Sequence, residues 1–337
     1  MTTKVLLDLD TGIDDALAIC YTLGSPDLEL VGITATFGNV SQTQSVTNAL
    51  AFLHLLGHDD IPVYPGASCP LHENQTAPYE PSSTVKAIHG PYGLGPLTLP
   101  PSARPAEKLS APDALNRLCS TLGAKLAVTA TGPLTNLALA LDQDPEALSE
   151  AGALSIMGGA YEAPGNVTPY AESNIINDPE AASRVLSGSW LASWYQHHAT
   201  NQAPIAVGLD VTMKTVLTRE RTAQWAQLNE TGRILASIVD FYIDAYQRNN
   251  PGMAGCALHD PLAVALLNHP YLIKGQLSPV AVALPQPERG RTLMTPIPHL
   301  QDHICADKCL YVALEVDAQN ATETIVDAIE TCLMQCH

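Results

Sequence analysis

The sequence predicts an α/β fold with a mainly parallel, Rossmann-like central sheet flanked by helices. Apolar runs of strand length alternate with helical patterns over most of the chain, which is typical of βαβ units. The first of these runs begins with three consecutive apolar residues, Val5–Leu7, as expected of a buried parallel strand. The 337 residues, 46% of them hydrophobic, show neither an internal repeat nor a clear linker. We therefore expect a single domain spanning residues 1–337.

The elements follow from these apolar runs and helical patterns in chain order. The first five runs of strand length are Val5–Asp8, Leu30–Thr36, Leu126–Ala130, Ala153–Met157 and Ile205–Leu209. Helical patterns follow them at Asp14–Leu23, Gln42–Leu56, Pro112–Leu122, Asn136–Leu141, Pro179–Leu186 and Thr231–Tyr246. Two later strand candidates, Val280–Leu284 and Leu310–Val316, precede a final helix from about Thr322 to Leu333.

Two long stretches show neither helical nor strand periodicity. Tyr64–Leu109 is rich in proline and glycine, and Pro285–Lys308 has no regular apolar pattern. Loops of this length inside a compact domain are usually active-site lids or insertions. We therefore expect long active-site loops here.

Charge excludes several classes of partner. Lys and Arg total 16 against 34 Asp and Glu, a net charge of −18. Nucleic acids and anionic membranes both require a cationic face, so neither is expected as a partner. No apolar stretch is long enough to span a bilayer, and the N-terminus lacks the pattern of a signal peptide. A cytoplasmic location is expected.

Cysteine usage favours buried thiols over disulfides, because the eight cysteines are dispersed along a long chain without an export signal. The alternative is a zinc site near the C-terminus, where ligand types recur at four-residue spacings. Its candidate ligands are Cys305, Cys309, Cys332, Cys336 and His337. A helix face explains the spacing of the last two cysteines equally well.

The most informative segment follows the first predicted strand and contains four carboxylates: Asp8, Asp10, Asp14 and Asp15. They lie at the carboxyl end of that strand, where open α/β sheets bind ligands. Their mutual repulsion calls for a cation, yet no Lys or Arg occurs between residues 4 and 86. All-oxygen ligation suits Ca²⁺ or Mg²⁺. The alternative is that Asp14 or Asp15 merely caps the next helix.

The same segment resembles the start of haloacid-dehalogenase-type phosphatases, in which Asp8 would be the nucleophile and Asp10 the acid. That motif continues with glycine and then threonine, whereas here Thr11 precedes Gly12. A Mg²⁺-dependent phosphatase built on these two aspartates is kept as an alternative.

A closer resemblance is to the inosine–uridine-type nucleoside hydrolases, whose N-terminal signature is D-x-D-P-G-x-D-D-A. Thr11 stands where that signature has proline. Further motifs of the family occur in the family's order: Gly38-Asn39, His89-Gly90, Ala130-Thr131-Gly132-Pro133-Leu134-Thr135-Asn136, Met157-Gly158-Gly159, Gly165-Asn166, Glu172-Ser173-Asn174, Asp178-Pro179-Glu180 and His259-Asp260-Pro261. The resemblance extends over most of the chain.

The resemblance implies hydrolysis of the N-glycosidic bond of a ribonucleoside to ribose and free base. It also implies a Ca²⁺ ion held by the side chains of Asp10, Asp15 and Asp260 and by the backbone carbonyl of Thr131. Asp260 lies in an otherwise apolar run, where an unpaired carboxylate is costly. Its alternative role is to cap a helix that begins with Pro261.

The resemblance assigns further roles. Asp10 would be the general base that activates water, and His259 the acid that protonates the departing base. The residues expected to bind substrate are Asp14, Asn39, His89, Asn166, Glu172, Asn174, Tyr242 and Tyr246. Core packing explains the i, i+4 spacing of the two tyrosines equally well, and His89 has the alternative of stabilising its loop.

Departures from the family pattern leave the preferred base open. Ser173 stands where some relatives carry an aromatic residue, and Asn250 where some carry a basic one. Replacement of proline by Thr11 is expected to cost only backbone rigidity. The resemblance also implies a homo-oligomer, dimer or tetramer, that takes a small ribonucleoside. A non-catalytic nucleoside-binding module is the second alternative to the hydrolase.

Overall fold

The computed structural model describes residues 2–71, 79–295 and 308–336. Within them the largest sheet has eight strands in the order β3-β2-β1-β4-β5-β6-β12-β9. Its strands are β1 (Thr3–Leu9), β2 (Leu28–Ala35), β3 (Val63–Pro65), β4 (Leu126–Ala130), β5 (Ala153–Met157), β6 (Ile205–Val207), β9 (Ile273–Ser278) and β12 (Leu310–Val316). All neighbouring strands are parallel except β9 and β12, which are antiparallel.

Two small antiparallel sheets flank the main one. They pair β7 (Val216–Thr218) with β8 (Gly255–Ala257), and β10 (Val280–Val282) with β11 (Thr292–Met294).

Helices cover both faces of the main sheet. They are α1 (Ile13–Gly24), α2 (Gln42–Leu55), α3 (Ser83–His89), α4 (Ala111–Leu122), α5 (Thr135–Gln143), α6 (Ser173–Asn177), α7 (Pro179–Ser187), α8 (Trp190–His197), α9 (Leu209–Thr212), α10 (Arg219–Trp225), α11 (Glu230–Asn249), α12 (His259–Ala265) and α13 (Ala318–Gln335). No helix of the described residues is long and apolar enough to cross a membrane.

Strand β1 lies at the centre because both of its faces are apolar. One face of the strand, with Val5, Leu7 and Leu9, belongs to the core that the sheet forms with α1, α2 and α11–α13. The other face, with Leu6, belongs to the core that the sheet forms with α4, α5, α7 and α8. Leu7 is paired with β2 on one side and β4 on the other. The predicted α/β fold with a mainly parallel, helix-flanked sheet is confirmed.

Helix α13 packs directly against α1. A Cβ atom at Gly24, the last residue of α1, would lie 1.8 Å from the backbone carbonyl oxygen of Ala328 in α13. Only glycine therefore permits this approach. The first and last helices of the described chain thus form one packed pair.

Two of the cysteines with ligand-like spacing lie on different elements. Cys309 is buried immediately before β12, and Cys332 is buried on α13. Cys305 and His337 lie outside the described residues. Among the residues that are described, the group of three ligand-type side chains close enough to hold a metal consists of aspartates. The zinc alternative therefore lies partly outside the described residues.

Several elements differ from the sequence prediction. Strand β9 was not predicted, because it is an edge strand in which Lys274 and Gln276 are exposed. The strand predicted to end at Leu209 ends at Val207, and Gly208 then caps α9. The predicted strand at Val280–Leu284 forms β10 of a separate hairpin.

The long aperiodic stretches are also partly ordered. The first contains β3 and α3, and the second contains β11. The rest of the second stretch, residues 296–307, lies outside the described part of the chain.

Candidate active site

A cavity of about 1180 Å³ opens at the carboxyl edge of the main sheet. Its wall is built from the segments that follow β1, β2, β4, β5 and β6, together with α3, α11 and the start of α12. The lining includes every residue expected to bind substrate: Asp14, Asn39, His89, Asn166, Glu172, Asn174, Tyr242 and Tyr246. The carboxyl edge is the position at which open α/β sheets place ligands, and the loop containing α3 forms part of the wall.

The turn between β1 and α1 has an unusual backbone. Thr11 has a φ of 26°, which a proline ring, fixed near −65°, cannot adopt. Its hydroxyl oxygen lies 2.9 Å from that of Ser45, and its carbonyl accepts a hydrogen bond of 3.1 Å from the Asn48 side chain. A proline could not adopt the backbone conformation of Thr11, so the expectation that its replacement costs only backbone rigidity is wrong.

Asp10 is held by a residue that follows β2. Its two carboxylate oxygens accept hydrogen bonds from the backbone N–H and the side-chain amide of Asn39, at 2.6 and 2.9 Å. Asp10 is buried, and burial together with the negative charge of Asp15 raises its pKa well above the ordinary value. Asn39 thus supports Asp10 directly, a contact that the substrate-binding expectation for Asn39 did not include.

Three buried carboxylates converge beside Asp10. Oxygens of Asp14, Asp15 and Asp260 lie within 4.8 Å of one another. Burial, followed by the repulsion of neighbouring carboxylates, raises the pKa of Asp260 well above its ordinary range, and burial raises those of Asp14 and Asp15 to about 6. Without a nearby positive charge, burial and mutual repulsion therefore disfavour the ionised form of these carboxylates.

Orphaned atoms in this cluster fit a cation. Oδ1 of Asp14 and Oδ2 of Asp260 are buried and have no hydrogen-bond partner in the described structure. Nδ1 of His89 lies 3.8 Å from Asp14, but burial lowers the pKa of His89 to about 4, so this histidine supplies no positive charge near neutral pH. The donor set is all oxygen, as hard divalent cations such as Ca²⁺ and Mg²⁺ prefer.

Two of the four predicted metal ligands, Asp15 and Asp260, are in the cluster, whose third member is Asp14. Asp10 is bound to Asn39, and its side chain also contacts that of Asp15. The carbonyl of Thr131 accepts a 2.8 Å hydrogen bond from the Asn174 side chain.

Helix capping is the alternative role of two residues of the cluster, Asp15 and Asp260. Oδ2 of Asp15 accepts a 2.6 Å bond from the N–H of Gly12, so Asp15 does cap α1. Asp260 lies inside the first turn of α12 and makes no capping hydrogen bond, which excludes the capping alternative for this residue.

A chain of hydrogen-bonding side chains runs from Asp14 to the start of α12. The phenol of Tyr242 donates to Asp14 over 3.2 Å, and the rings of Tyr242 and Tyr246 meet edge to face, with centroids 4.9 Å apart. The Tyr246 hydroxyl contacts Nε2 of His259, and Nδ1 of His259 lies 2.7 Å from the hydroxyl oxygen of Thr212. Burial lowers the pKa of His259 to about 3, so its ring is neutral near pH 7.

His89 closes another side of the cavity. It is the last residue of α3, and its Nδ1 accepts a 3.3 Å hydrogen bond from the backbone N–H of Ile13. Its ring lies 5.2 Å from that of Tyr242, centroid to centroid. His89 thus both stabilises its loop and forms part of the cavity wall.

Glu172, Asn174 and Asn166 line the cavity while binding the protein itself. The Glu172 carboxylate caps α6 by accepting from the backbone N–H of Asn174 at 3.0 Å, and burial raises its pKa to about 7. The side-chain oxygen of Asn166 accepts a 3.0 Å hydrogen bond from the N–H of Ser173. Their remaining lone pairs and N–H groups are available to a polyol ligand.

Asp8 does not face the cavity. It is fully buried, and its Oδ1 accepts hydrogen bonds from Thr34 at 2.6 Å and from Asn136 at 2.7 Å. Burial raises its pKa to about 7. A phosphoester could not reach this carboxyl, so the structure argues against the phosphatase alternative with Asp8 as nucleophile.

Three further residues near the site, Asn48, Asp210 and Thr212, belong to none of the sequence motifs above. Each contacts a candidate site residue or its loop. No local motif marks them, because their partners lie tens of residues away along the chain.

Comparison with known proteins decides the family. Residues 5–323 match the family described as inosine-uridine preferring nucleoside hydrolase. The chain belongs to this family. The nucleoside hydrolase is 33% identical over 331 residues to the probable uridine nucleosidase 2 of Arabidopsis thaliana, covering 97% of each chain. It is 35% identical over 274 residues to the pyrimidine-specific ribonucleoside hydrolase RihA of Escherichia coli O127:H6, covering 81% of each.

Solved structures agree with this assignment. The fold of the nucleoside hydrolase matches that of a purine-preferring ribonucleoside hydrolase from Gardnerella vaginalis with a TM-score of 0.89 at 39% identity, covering 98% of this chain and 99% of that one. Similar proteins therefore carry names for opposite base preferences.

Proposed function

We propose that this chain hydrolyses the N-glycosidic bond of ribonucleosides, giving ribose and a free base, with a bound Ca²⁺ ion. The observation that carries the proposal is the group of three buried carboxylates, Asp14, Asp15 and Asp260, lying within 4.8 Å of one another beside a cavity of about 1180 Å³. Two of their buried oxygens have no hydrogen-bond partner among the described residues. Family membership supports the same activity.

The residues proposed to hold the cation are Asp10, Asp15 and Asp260, with the carbonyl of Thr131. Asp14 is added because it is part of the carboxylate group in the structure. When bound, the cation would orient the sugar hydroxyls and lower the pKa of a coordinated water. Binding would also relieve the repulsion that raises the pKa values of these carboxyls.

Asp10 is the proposed general base. The two hydrogen bonds from Asn39 fix the plane of its carboxylate, so that its free lone pairs keep one orientation. Burial and the nearby charge of Asp15 raise its pKa while the cation is absent, and a bound cation would lower it and keep the carboxylate ionised, as a general base must be. Asn39 is therefore a positioning residue for Asp10 in addition to its proposed contact with substrate.

The proposed ribose-binding groups are carboxylates and amides, which accept and donate hydrogen bonds to a triol without requiring charge on the ligand. They are Asp14, Asn39, Asn166, Glu172 and Asn174. The base would lie toward His89, Tyr242, Tyr246 and His259.

His259 is the proposed acid that delivers a proton to the departing base. Because burial keeps its ring neutral, a proton must reach it through its partners. Those partners are the hydroxyls of Tyr246 and Thr212, one at each ring nitrogen.

The test is a product assay over a panel of ribonucleosides and their 5′-nucleotides. We expect free ribose from nucleosides, loss of release after chelation, and recovery with CaCl₂ in preference to MgCl₂. Asp10→Asn should reduce kcat by about 10²-fold or more. Asp144→Asn is the matched control, because Asp144 is an exposed carboxylate that accepts two backbone N–H groups away from the cavity.

Three outcomes would contradict the proposal. Phosphate release from nucleotides without ribose release would favour a phosphatase, and tight nucleoside binding without products would favour a binding module. Full activity after exhaustive chelation would exclude the metal. The same panel decides between purine and pyrimidine.

A further inference from the structure

In the segment after β5, the backbone N–H groups of five consecutive residues donate to side chains. The backbone N–H of Gly159 donates to Glu172 at 3.0 Å, and that of Ala160 donates to the hydroxyl of Thr292 at 3.1 Å. The next three N–H groups, of residues 161–163, all donate to one carboxylate. This segment therefore depends for its shape on acceptors from distant parts of the chain.

That single carboxylate belongs to Asp210 of α9. Its Oδ2 accepts from Tyr161 at 2.9 Å, and its Oδ1 accepts from Glu162 at 2.7 Å and from Ala163 at 2.8 Å. The side chain is buried, with the residue 6% exposed. Charge-assisted hydrogen bonds of this kind are the strong ones, and three of them converge on one short segment.

The segment leads directly into a wall of the cavity. Residues 162–167 line it, and Asn166 is among the proposed ribose contacts. The position of this wall thus depends on the carboxylate of Asp210, both oxygens of which accept hydrogen bonds from backbone N–H groups. Gly208 makes the approach possible, because a Cβ there would lie 2.8 Å from Oδ2 of Asp210.

We propose that Asp210 is a positioning residue that fixes the 161–167 segment and, through it, sets how tightly Asn166 binds the ribose of the substrate. The ribose part of this inference rests on the proposed function. Nothing in the local sequence around Asp210 assigns it such a role.

Asp210→Asn isolates this role. The substituted side chain has nearly the same shape, but it keeps one acceptor oxygen and presents an N–H₂ group where Oδ2 now accepts from Tyr161. Asp210→Glu is measured beside it, because it keeps the charge and moves the carboxylate by one methylene. Far-UV circular dichroism and melting curves identify which variants are folded.

The first measurement is amide hydrogen exchange, which does not depend on activity. We expect the amides of residues 161–163 to exchange at least tenfold faster in a folded Asp210 variant, with α13 amides unchanged. Unchanged protection of residues 161–163 would overturn the inference even if the enzyme is active. Absence of ribose release by the unmodified chain would instead overturn the proposed function and leave the exchange result standing.

The second measurement is a double-mutant cycle with Asn166→Ala. Asp210→Asn alone should raise KM about tenfold with kcat changed by less than about threefold, because the lost contacts bind ground state and transition state alike. In the Asn166→Ala background it should raise KM by less than about twofold. Effects that multiply in full, or a normal KM for Asn166→Ala beside a raised KM for Asp210→Asn, would show that Asp210 does not act through Asn166. Asp144→Asn again serves as control.

Discussion

The hydroxyl oxygen of Thr212 lies 2.7 Å from Nδ1 of His259, on the side of the ring opposite to the Tyr246 hydroxyl. Both ring nitrogens are therefore engaged, and the imidazole plane is fixed before substrate arrives. Burial keeps the ring neutral by lowering its pKa to about 3. A ring held in this way has one orientation and two hydroxyl neighbours through which a proton can pass.

His259→Ala should affect departure of the base more than binding. We expect kcat for ribonucleosides to fall by about 10²- to 10⁴-fold, because the base would leave without a proton donor. With 4-nitrophenyl β-D-ribofuranoside, whose leaving group needs no proton, the change should be about threefold or less. His54→Ala is the control, since His54 is exposed and paired with Asp59. Equal losses on both substrates would contradict the acid role.

Asp260→Asn tests the cation through stability. CaCl₂ should raise the melting temperature of the unmodified chain, because a ligand that binds only the folded state stabilises it. The variant should lose most of that rise together with ribose release. Asp27→Asn, at an exposed position, should keep both. A variant that retains the full calcium-induced shift would show that Asp260 is not a ligand.

Asp8 should make folding stability depend on pH. Burial raises its pKa from 3.8 to about 7, so between these values the folded state keeps a proton that the unfolded state has lost. Stability therefore falls as pH rises through this window and levels off above it.

Asp8→Asn resembles the protonated acid but cannot ionise, so it removes the fall in folding stability that Asp8 causes as pH rises. Relative to the unmodified chain, its stability in urea should improve from pH 4 to pH 7.5 by about 4 kcal/mol at most. Ribose release should persist, whereas a phosphatase with Asp8 as nucleophile would lose its activity. A stability difference that does not vary with pH would mean that Asp8 is ionised throughout.

Thr11→Pro should destabilise this chain even though proline stands in the family signature at this position. The backbone here has a φ of 26°, and proline at an incompatible angle costs about 1 kcal/mol or more. The change also removes the hydroxyl next to Ser45. Thr11→Ser, which keeps the hydroxyl, is the control. A proline variant as stable as the parent in urea unfolding would contradict the strained backbone.

The parts of the fold that sequence could predict have local signals. The strand, turn and helix around Asp10 occupy about twenty consecutive residues, and their apolar pattern and aspartates are read without knowledge of the rest of the chain. All of the residues that the resemblance predicts to contact substrate line one cavity. These predictions concern which residues are near one another.

The detailed contacts could not be predicted, because they join distant residues. Tyr242 and Asp14 are 228 positions apart, and Asp210 is 49 positions from Tyr161. The φ of Thr11 depends on hydrogen bonds from α2. That Asp8 faces away from the cavity follows from its partners Thr34 and Asn136, which the aspartate pattern alone does not reveal.

The close approach of Gly24 to Ala328 has a consequence for biosynthesis. Helix α1 carries Asp14 and Asp15 near its start and rests on α13, which ends at Gln335. During translation the first helix emerges long before its supporting neighbour exists. The packed pair of α1 and α13 can therefore form only after α13 has left the ribosome, so this part of the core is completed at the end of synthesis of the described chain.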